Sequence, residues 1–481
     1  METTSRIDAL KTWPRLIQGG MGVAVSSWEL AGAVAAAGHL GVVSGTALEI
    51  VYARRLQLGD PGGHVRRAFA HFPCRSMVER VLERFYIPGG KKAGEPYRSV
   101  PMYTLSPGAV LHELAVVTNF AEVWLAKDRG GGGLVGINYL RKIELPLLAA
   151  MYGAVLAGVD FVIVGAGNPN HIPPLLTKLS RGDDVSLEIK VQYADAGERF
   201  QTEFSPRTLM GPLHAQVRRP RMLAIVASVP LARSLAEDQA DAPDGFVIEG
   251  PTAGGHNAPP QGPLRLDVEG QPIYGPADEV DLGEFARLRR PFWLAGSYGR
   301  CDALRAALAA GANGIQVGTA FAFCRESGLA SDVKSRILRQ AISGEAKVFT
   351  DPRASPTGFP FKVVKVPGTL SDSKVYAGRR RGCDLGYLRC PYRSAGGIGY
   401  RCPAESEAVY LRKQGRPQNT MGRKCLCNAL LANVGLGQTR SDGYMEPPLV
   451  TAGDDVVNVA RFLPTGATSY GAADVIASIL R

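Results

Sequence analysis

Short runs of apolar, often β-branched residues recur along the chain. Each closes on glycine or a polar residue and gives way to sequence of helical composition. Residues 15–18 run into Gly19-Gly20-Met21-Gly22, and the Ala-rich stretch 26–37 reads as a helix with Ser26 or Ser27 as its N-cap. Residues 40–43 end at Ser44-Gly45, residues 134–138 precede helical sequence from Glu144, and residues 161–164 end at Gly165-Ala166-Gly167. Residues 222–226 end at Ala227-Ser228, and residues 245–248 end before Gly250. Residues 292–294 end at Ala295-Gly296 ahead of an Ala-rich helix over 302–310, and residues 314–317 end at Gly318-Thr319. Strands buried on both faces read as unbroken apolar runs, so this alternation predicts an α/β fold of the (β/α)8 TIM-barrel type. The rival is an open doubly wound sheet, whose dinucleotide fingerprint would begin at Gly20-Met21-Gly22. Val25 stands where that fingerprint needs Gly or Ala, and the barrel is preferred.

Two stretches interrupt the alternation. Residues 49–129 hold charged helical pieces and Pro-Gly turns and read as an insertion, a cap or an enlarged loop after the second strand. Residues 171–220 hold a Pro-rich turn and a polar segment with a hairpin expected around 185–193. From 371 the composition shifts to Arg, Gly, Tyr and Cys. The predicted organisation is therefore 1–48 as the start of the barrel, 49–129 as the insertion, 130–370 as the remainder of the barrel, and 371–481 as a Cys-containing C-terminal module packed on it.

Composition narrows the function classes. The 481 residues, 45% hydrophobic and 21% charged, can bury an ample core without disulfides and are not a disordered chain. A net charge of +11 favours anionic ligands or acidic partners. The longest basic run, Arg379-Arg380-Arg381, has no interleaved aromatics, so no nucleic-acid partner is expected. The first fourteen residues lack the apolar core of a signal peptide. The apolar run 145–159 contains Pro146, ends at Asp160, and is shorter than the ~18 residues a bilayer needs. No membrane partner and a cytoplasmic location follow as expectations, and the chain allows a homodimer. Eight cysteines suit a reducing compartment. Five of them, Cys383, Cys390, Cys402, Cys425 and Cys427, lie close together in sequence. Cys383, Cys402, Cys425 and Cys427 could supply four thiolates for Zn²⁺ or an iron–sulfur cluster, with Cys390 as a spare. No C-x₂-C pair is present, and buried free thiols are the alternative.

In such a barrel the reacting face lies at the C-terminal ends of the strands. The unusual residues gather there: Gly20-Met21-Gly22, Asn138, His256, the turn Gly296-Ser297-Tyr298-Gly299, and Gly318-Thr319. Small-residue turns after the seventh and eighth strands can turn backbone N–H groups toward a phosphate, although glycines also simply make tight turns. His256, after Gly254 and Gly255, could exchange a proton near neutrality. Asn138 could cap its own turn or hydrogen-bond a heterocycle edge. The remaining histidines, His39, His64, His71, His112, His171 and His214, form no ligand pair.

Taken together, the ordered pieces Ile17-Gln18-Gly19-Gly20-Met21-Gly22, Gly136-Ile137-Asn138, Ala253-Gly254-Gly255-His256, Leu294-Ala295-Gly296, the run 314–321 with Glu326-Ser327, and Ser355-Pro356-Thr357-Gly358 resemble the nitronate monooxygenase family. These are FMN-dependent barrels related to bacterial FMN enoyl-acyl-carrier-protein reductases. The chain departs from the family's pattern at Pro251-Thr252, where an acidic residue is common, and at Ser297-Tyr298, where a plainer Gly-Gly turn is usual. The resemblance implies that Gly20, Met21, Gly22, Asn138, Gly254 and Gly255 approach the flavin. It further implies that Gly296, Ser297, Tyr298, Gly299, Gly318 and Thr319 hold its phosphate end, with His256 as the catalytic residue. The implied activity is oxidation of an alkyl nitronate or similar small acidic compound with O₂. The alternative is an NAD(P)H-dependent reductase of carrier-bound enoyl thioesters, for which the basic balance would suit an acidic carrier. From another class, a phosphate-binding lyase would share the phosphate loops but not the flavin.

Overall fold

The computed structural model describes residues 13–214, 216–237 and 241–481. Most of the N-terminal stretch read for a signal peptide therefore lies outside the described residues. Eight parallel strands form one sheet: β1 (Leu16–Gln18), β2 (Gly41–Ser44), β3 (Val135–Leu140), β4 (Phe161–Gly165), β5 (Arg221–Val226), β6 (Gly245–Glu249), β7 (Phe292–Ala295) and β8 (Gly314–Val317). Their spatial order is β1-β8-β7-β6-β5-β4-β3-β2, each strand beside its neighbours in sequence. The ring closes between β1 and β2 through a parallel bridge at Ile17 and Leu40, with the Gln18 N–H donating to the Leu40 carbonyl at 2.9 Å. This is the predicted TIM barrel, built from the runs that the apolar pattern picked out.

Alternation along each strand sorts the side chains into two layers. Ile17, Val42, Phe161, Ile163, Leu223, Val247 and Trp293 pack with one another inside the ring. Their neighbours Val162, Val164, Met222, Ala224, Phe246 and Leu294 face the surrounding helices. The Trp293 indole N–H donates to the Pro14 carbonyl at 2.6 Å and its ring meets Trp13 edge-on, so the segment entering β1 seals the lower end.

The first helix, Trp28–Ala36, does begin after Ser27, but neither predicted cap makes a capping bond. The Ser26 hydroxyl is engaged with the Gly19 carbonyl and the Met21 N–H, and the open Trp28 N–H is taken at 2.7 Å by the Glu122 carboxylate. Glu122 also accepts from the Tyr52 hydroxyl at 2.7 Å and lies 3.7 Å from Arg55. It belongs to the helix Ala109–Arg129, which packs against Trp28–Ala36 and Leu147–Leu156. The stretch 49–129 thus supplies a helix of the barrel's outer layer in addition to Arg75–Phe85 and shorter pieces. Among the described residues Ala109–Arg129, rather than 145–159, is the helix long and apolar enough to span a membrane. Its Leu114, Val117, Ala121 and Leu125 are wholly buried against the other helices.

The expected hairpin differs in register. Val185–Glu188 pairs antiparallel with Gln201–Phe204, because Gln192 leaves the segment to bond with the hairpin Cys390–Ser394/Gly397–Arg401. The chain after the barrel folds back over it. Phe361–Val364 pairs with Val348–Asp351, and Ala354, Phe361, Val363, Leu426, Ala429 and Leu449 form a separate small core. The last helix, Ala472–Leu480, returns to pack on Cys301–Ala309 and Trp28–Ala36.

Because Glu122 serves two buried donors and the half-buried Arg55, Glu122→Ala should lower stability by about 3–5 kcal/mol. Tyr52→Phe, which removes a single bond, should cost about 1 kcal/mol. Urea unfolding monitored by circular dichroism measures both, and equal losses would show that the carboxylate does not join the two helices.

Candidate active site

The site is assembled first from the β1 loop. Gln18 is fully buried; its side-chain carbonyl accepts the Val42 N–H at 3.0 Å and its amide donates to the Ser26 hydroxyl at 2.8 Å. Ser26 in turn holds Gly19 and Met21, which shapes the loop 19–25. Gly20 lies so close to β3 that a Cβ there would stand 2.2 Å from the Asn138 Cβ. Glycine is required at this contact, which brings Asn138 beside Met21 and Gly22.

The loop after β7 turns inward at Gly296, whose φ is +100° and whose added Cβ would stand 2.8 Å from the Thr252 Oγ1. Ser297 follows with φ +58°, so the backbone of 296–299 is sharply bent along the cavity wall. Beside it, a Cβ added at Gly318 would stand 3.6 Å from the Met21 sulfur, and the Thr319 Oγ1 accepts the Gly453 N–H at 2.8 Å.

A cavity of ≈ 220 Å³ opens where these strand ends meet. Gly20, Met21, Gly22, Asn138, Gly254, Gly255, His256, Gly296, Ser297, Tyr298, Gly299, Gly318 and Thr319 all line it. None of the other six histidines does. Two strand residues that the sequence reading passed over also face it. Glu249 and Gln316 lie on either side of Ala295 in the strand register, and that small side chain leaves room between them. Burial pushes the Glu249 carboxyl up to about 8, so it carries a proton at neutral pH. The Gln316 Oε1 is buried without a partner. A polar residue closing an otherwise apolar barrel strand was the signal available for both.

His256 is held from one side. Its Nε2 lies 2.7 Å from the Ser355 Oγ, which lies 2.8 Å from the Thr357 Oγ1. The Phe361 ring meets the imidazole edge-on at 4.9 Å. Burial, with a smaller contribution from the Lys142 ammonium, lowers its pKa to about 4, leaving a neutral imidazole at pH 7. The C-terminal module completes the wall. Thr451, Ala452, Asp455, Leu430 and Asn433 line the cavity, and the Gly255 N–H donates to the Thr451 Oγ1 at 3.0 Å. Arg461 grips Asp455 at 2.6 Å and the Gly299 carbonyl at 2.8 Å. These residues lie far outside the βα alternation, and no local pattern marked them.

The cysteine expectation is corrected in part. Cys383, Cys402, Cys425 and Cys427 meet around a second, small cavity, whereas Cys390 lies on a hairpin strand and does not line it. Among the described residues no group of three or more His, Cys, Asp or Glu side chains is arranged to hold a metal ion, so neither the Zn²⁺ nor the iron–sulfur assignment is supported. The sulfurs border a void instead of converging on one point.

A closed parallel barrel whose strand-end loops enclose one cavity is a (β/α)8 enzyme architecture. Residues 220–350, spanning β5 to β8 and the segment after them, match the family model described as nitronate monooxygenase, and the chain is a flavin-dependent oxidoreductase. Solved structures similar to the chain include FabK from Thermotoga maritima, at 16% identity over 99% of this chain and 94% of that one, with a TM-score of 0.46. A nitroalkane oxidase from Streptomyces ansochromogenes is 16% identical over 98% and 96%, with a TM-score of 0.43. The enoyl reductase domain of MlnA from Bacillus amyloliquefaciens is 12% identical over 99% and 95%, with a TM-score of 0.47. None of the curated proteins compared matches the chain.

His256 should stay neutral down to about pH 4 in the ligand-free protein, because its lowered pKa removes the charged form from the range above that value. Chemical shifts of ¹⁵N-labelled imidazole read this directly; titration near the ordinary ~6.5 would show an exposed ring. Ser355→Ala should change the tautomer balance of the same signal.

Proposed function

We propose that the cavity holds FMN and that the protein reduces a neutral, carbonyl-activated alkene, an enoyl thioester presented on a carrier, with NAD(P)H. Three features of the lining fit a flavin. The unpartnered Gln316 Oε1 is an acceptor suited to the imide N–H of the isoalloxazine. Asn138, Met21 and Gly22 offer an amide and an apolar surface beside it. The backbone at 296–299 and 318–319 follows β7 and β8, where barrels of this type commonly bind phosphate. Bound there, FMN would supply the two-electron chemistry.

The observation that selects the substrate class is charge. Among the described residues no Lys or Arg lines the cavity, and its acidic residues are the protonated Glu249 and Asp455, which is paired with Arg461. A nitronate anion would find no cation in the lining itself, Lys142 acting only from behind His256, whereas a thioester enters neutral. His256 acts as an orienting hydrogen-bond group, its Nε2 fixed by Ser355 and its ring packed edge-on against Phe361. In this reading Glu249, which lines the cavity and carries its proton below pH about 8, is the donor of a proton to the carbon beside the carbonyl. The second reading, nitronate oxidation with O₂, is supported by the family match and by the Lys142 charge close to His256.

Anaerobic titration distinguishes the two. Bleaching of the flavin by NAD(P)H, with recovery on adding a crotonyl thioester, is expected. Bleaching by an alkyl nitronate but not by NAD(P)H would establish the second reading, and a protein that takes up no flavin would exclude both. His256→Ala should retain the flavin and lose about 10²–10³-fold in turnover. With wild-type protein, activity should fall as pH rises through about 8, where Glu249 loses its proton. Glu249→Gln should be slower and should lack that limb.

A further inference from the structure

The loop that carries His256 does not return directly to the barrel; residues 261–281 first build a projection. Its base is closed by the Gln261 N–H donating to Asp278 Oδ1 at 2.6 Å and by the Tyr274 hydroxyl donating to the Ala258 carbonyl at 3.0 Å. Within it Leu266 and Pro272 form an antiparallel bridge, flanked by two backbone bonds of 2.9 Å, Asp267 N–H to the Gln271 carbonyl and Ile273 N–H to the Arg265 carbonyl. The Asp267 carboxylate accepts the Glu269 and Gln271 N–H groups at 2.9 and 2.8 Å, which fixes the tip. Although braced in this way, the hairpin leaves Leu264, Leu266 and Val268 in solvent, Val268 completely. Large apolar side chains held together on a surface mark a place where a partner sits. We propose that this hairpin docks on residues 411–424 of a second copy of the chain, in two equivalent contacts across a two-fold axis.

Charge identifies the occupant. Residues 261–281 carry five acidic residues, Asp267, Glu269, Asp278, Glu279 and Asp281, against Arg265 alone. This is an acidic, apolar-tipped surface on a chain of net charge +11. Residues 411–424 are its inverse: five basic residues and no acidic one, with Leu411 and Met421 exposed among them. Lys413 and Lys424 are paired with Glu405 and Asp351, and Arg423 donates to main-chain carbonyls. Among the described residues Arg412 and Arg416 have no ion-pair partner, and both stand in solvent. Leu and Met framed by free guanidinium groups complement Leu and Val framed by carboxylates. An acidic carrier would suit the basic segment but would be repelled by the hairpin near it.

Placement allows both contacts at once. The Thr350 N–H donates to the Gln271 side-chain carbonyl at 2.9 Å, and the next residue, Asp351, accepts the Lys424 ammonium at 2.8 Å. The hairpin and the basic segment therefore border the same strand, Val348–Asp351. A two-fold axis beside that strand carries each hairpin to the other copy's basic segment, the isologous closure of a dimer. The docked surfaces are also the outer ends of the elements that hold His256. The hairpin continues the His256 loop, and Arg423 donates to the carbonyl of Ser355, whose hydroxyl meets the imidazole Nε2. Dimerisation would brace the site from outside whichever flavin reaction the protein performs.

The test is the mass of the full chain by sedimentation over a range of concentrations. A species of twice the chain mass is expected, and a monomer throughout overturns the proposal. Leu266→Glu with Val268→Glu and, separately, Arg412→Glu with Arg416→Glu should each raise the dimer dissociation constant about ten- to a hundredfold. Adding Glu269→Lys and Glu279→Lys to the second pair restores opposite charges and should recover most of that loss. A dimer indifferent to both pairs uses another face and overturns the proposal. Should the variants not fold, amide hydrogen exchange of the wild-type protein decides. Protection should rise on dimerisation in 264–268 and 411–421 together, and a rise that misses either segment overturns the proposal. A monomer whose Arg412→Glu and Arg416→Glu form loses turnover only with a carrier-bound thioester would overturn it too, and would give the basic segment to a carrier.

Discussion

The whole site depends on how the barrel closes. Between β1 and β2 the main chain supplies only the short bridge at Ile17 and Leu40, and the side chain of Gln18 supplements it from inside the wall. A buried amide can span two strands because it carries an acceptor and donors on one rigid plane. Here its carbonyl takes the β2 backbone while its amide takes Ser26, so one residue joins the seam to the shape of the loop behind it. That loop carries Gly20, Met21 and Gly22 to the cavity. An apolar residue at position 18 would strand the Val42 N–H and remove one of the three partners of the Ser26 hydroxyl. In a wall of otherwise apolar strands, closure and site geometry therefore rest on the same few polar atoms.

The cavity is polar in a restrained way. Its groups are neutral at physiological pH or already paired: His256 by burial, Glu249 by burial, Asp455 by Arg461. Such a lining gives direction without net charge, which suits a site that must accept a cofactor with an anionic tail at one end and an uncharged reacting group at the other. The tail can be met by backbone N–H groups, which carry no charge to neutralise and no side-chain entropy to lose. The C-terminal module matters to this restraint. By laying Thr451, Ala452 and Asp455 across the loops after β6 and β8, it removes water from the side the barrel leaves open.

Much of this was legible locally. A parallel strand enclosed by helices must be apolar on both faces, so each barrel strand announced itself as an unbroken run with a small-residue turn after it. The same turns identified the loops of the site, because close approach of backbone to backbone, as at Gly20 and Asn138, demands residues without side chains. Other features were not legible. The N-cap expected from Ser26 and Ser27 gave way to Glu122, which lies some ninety residues away along the chain. Tertiary packing decided which oxygen met the Trp28 N–H. The hairpin after residue 185 moved its second strand because Gln192 found a partner near residue 391.

By itself, the sequence determined the class of fold, the order of its strands and the identities of the small residues around the cavity. Those follow from periodicity and from the steric demands of tight turns, which act over a few residues. The tertiary structure alone decided the ionisation of His256 and Glu249, the pairing of His256 with Ser355, and the covering of the cavity by residues 451–455. It also decided that Cys390 stands apart from the other four cysteines of its module. These properties depend on burial and on contacts between segments about one to two hundred residues apart, and neither has a local signature.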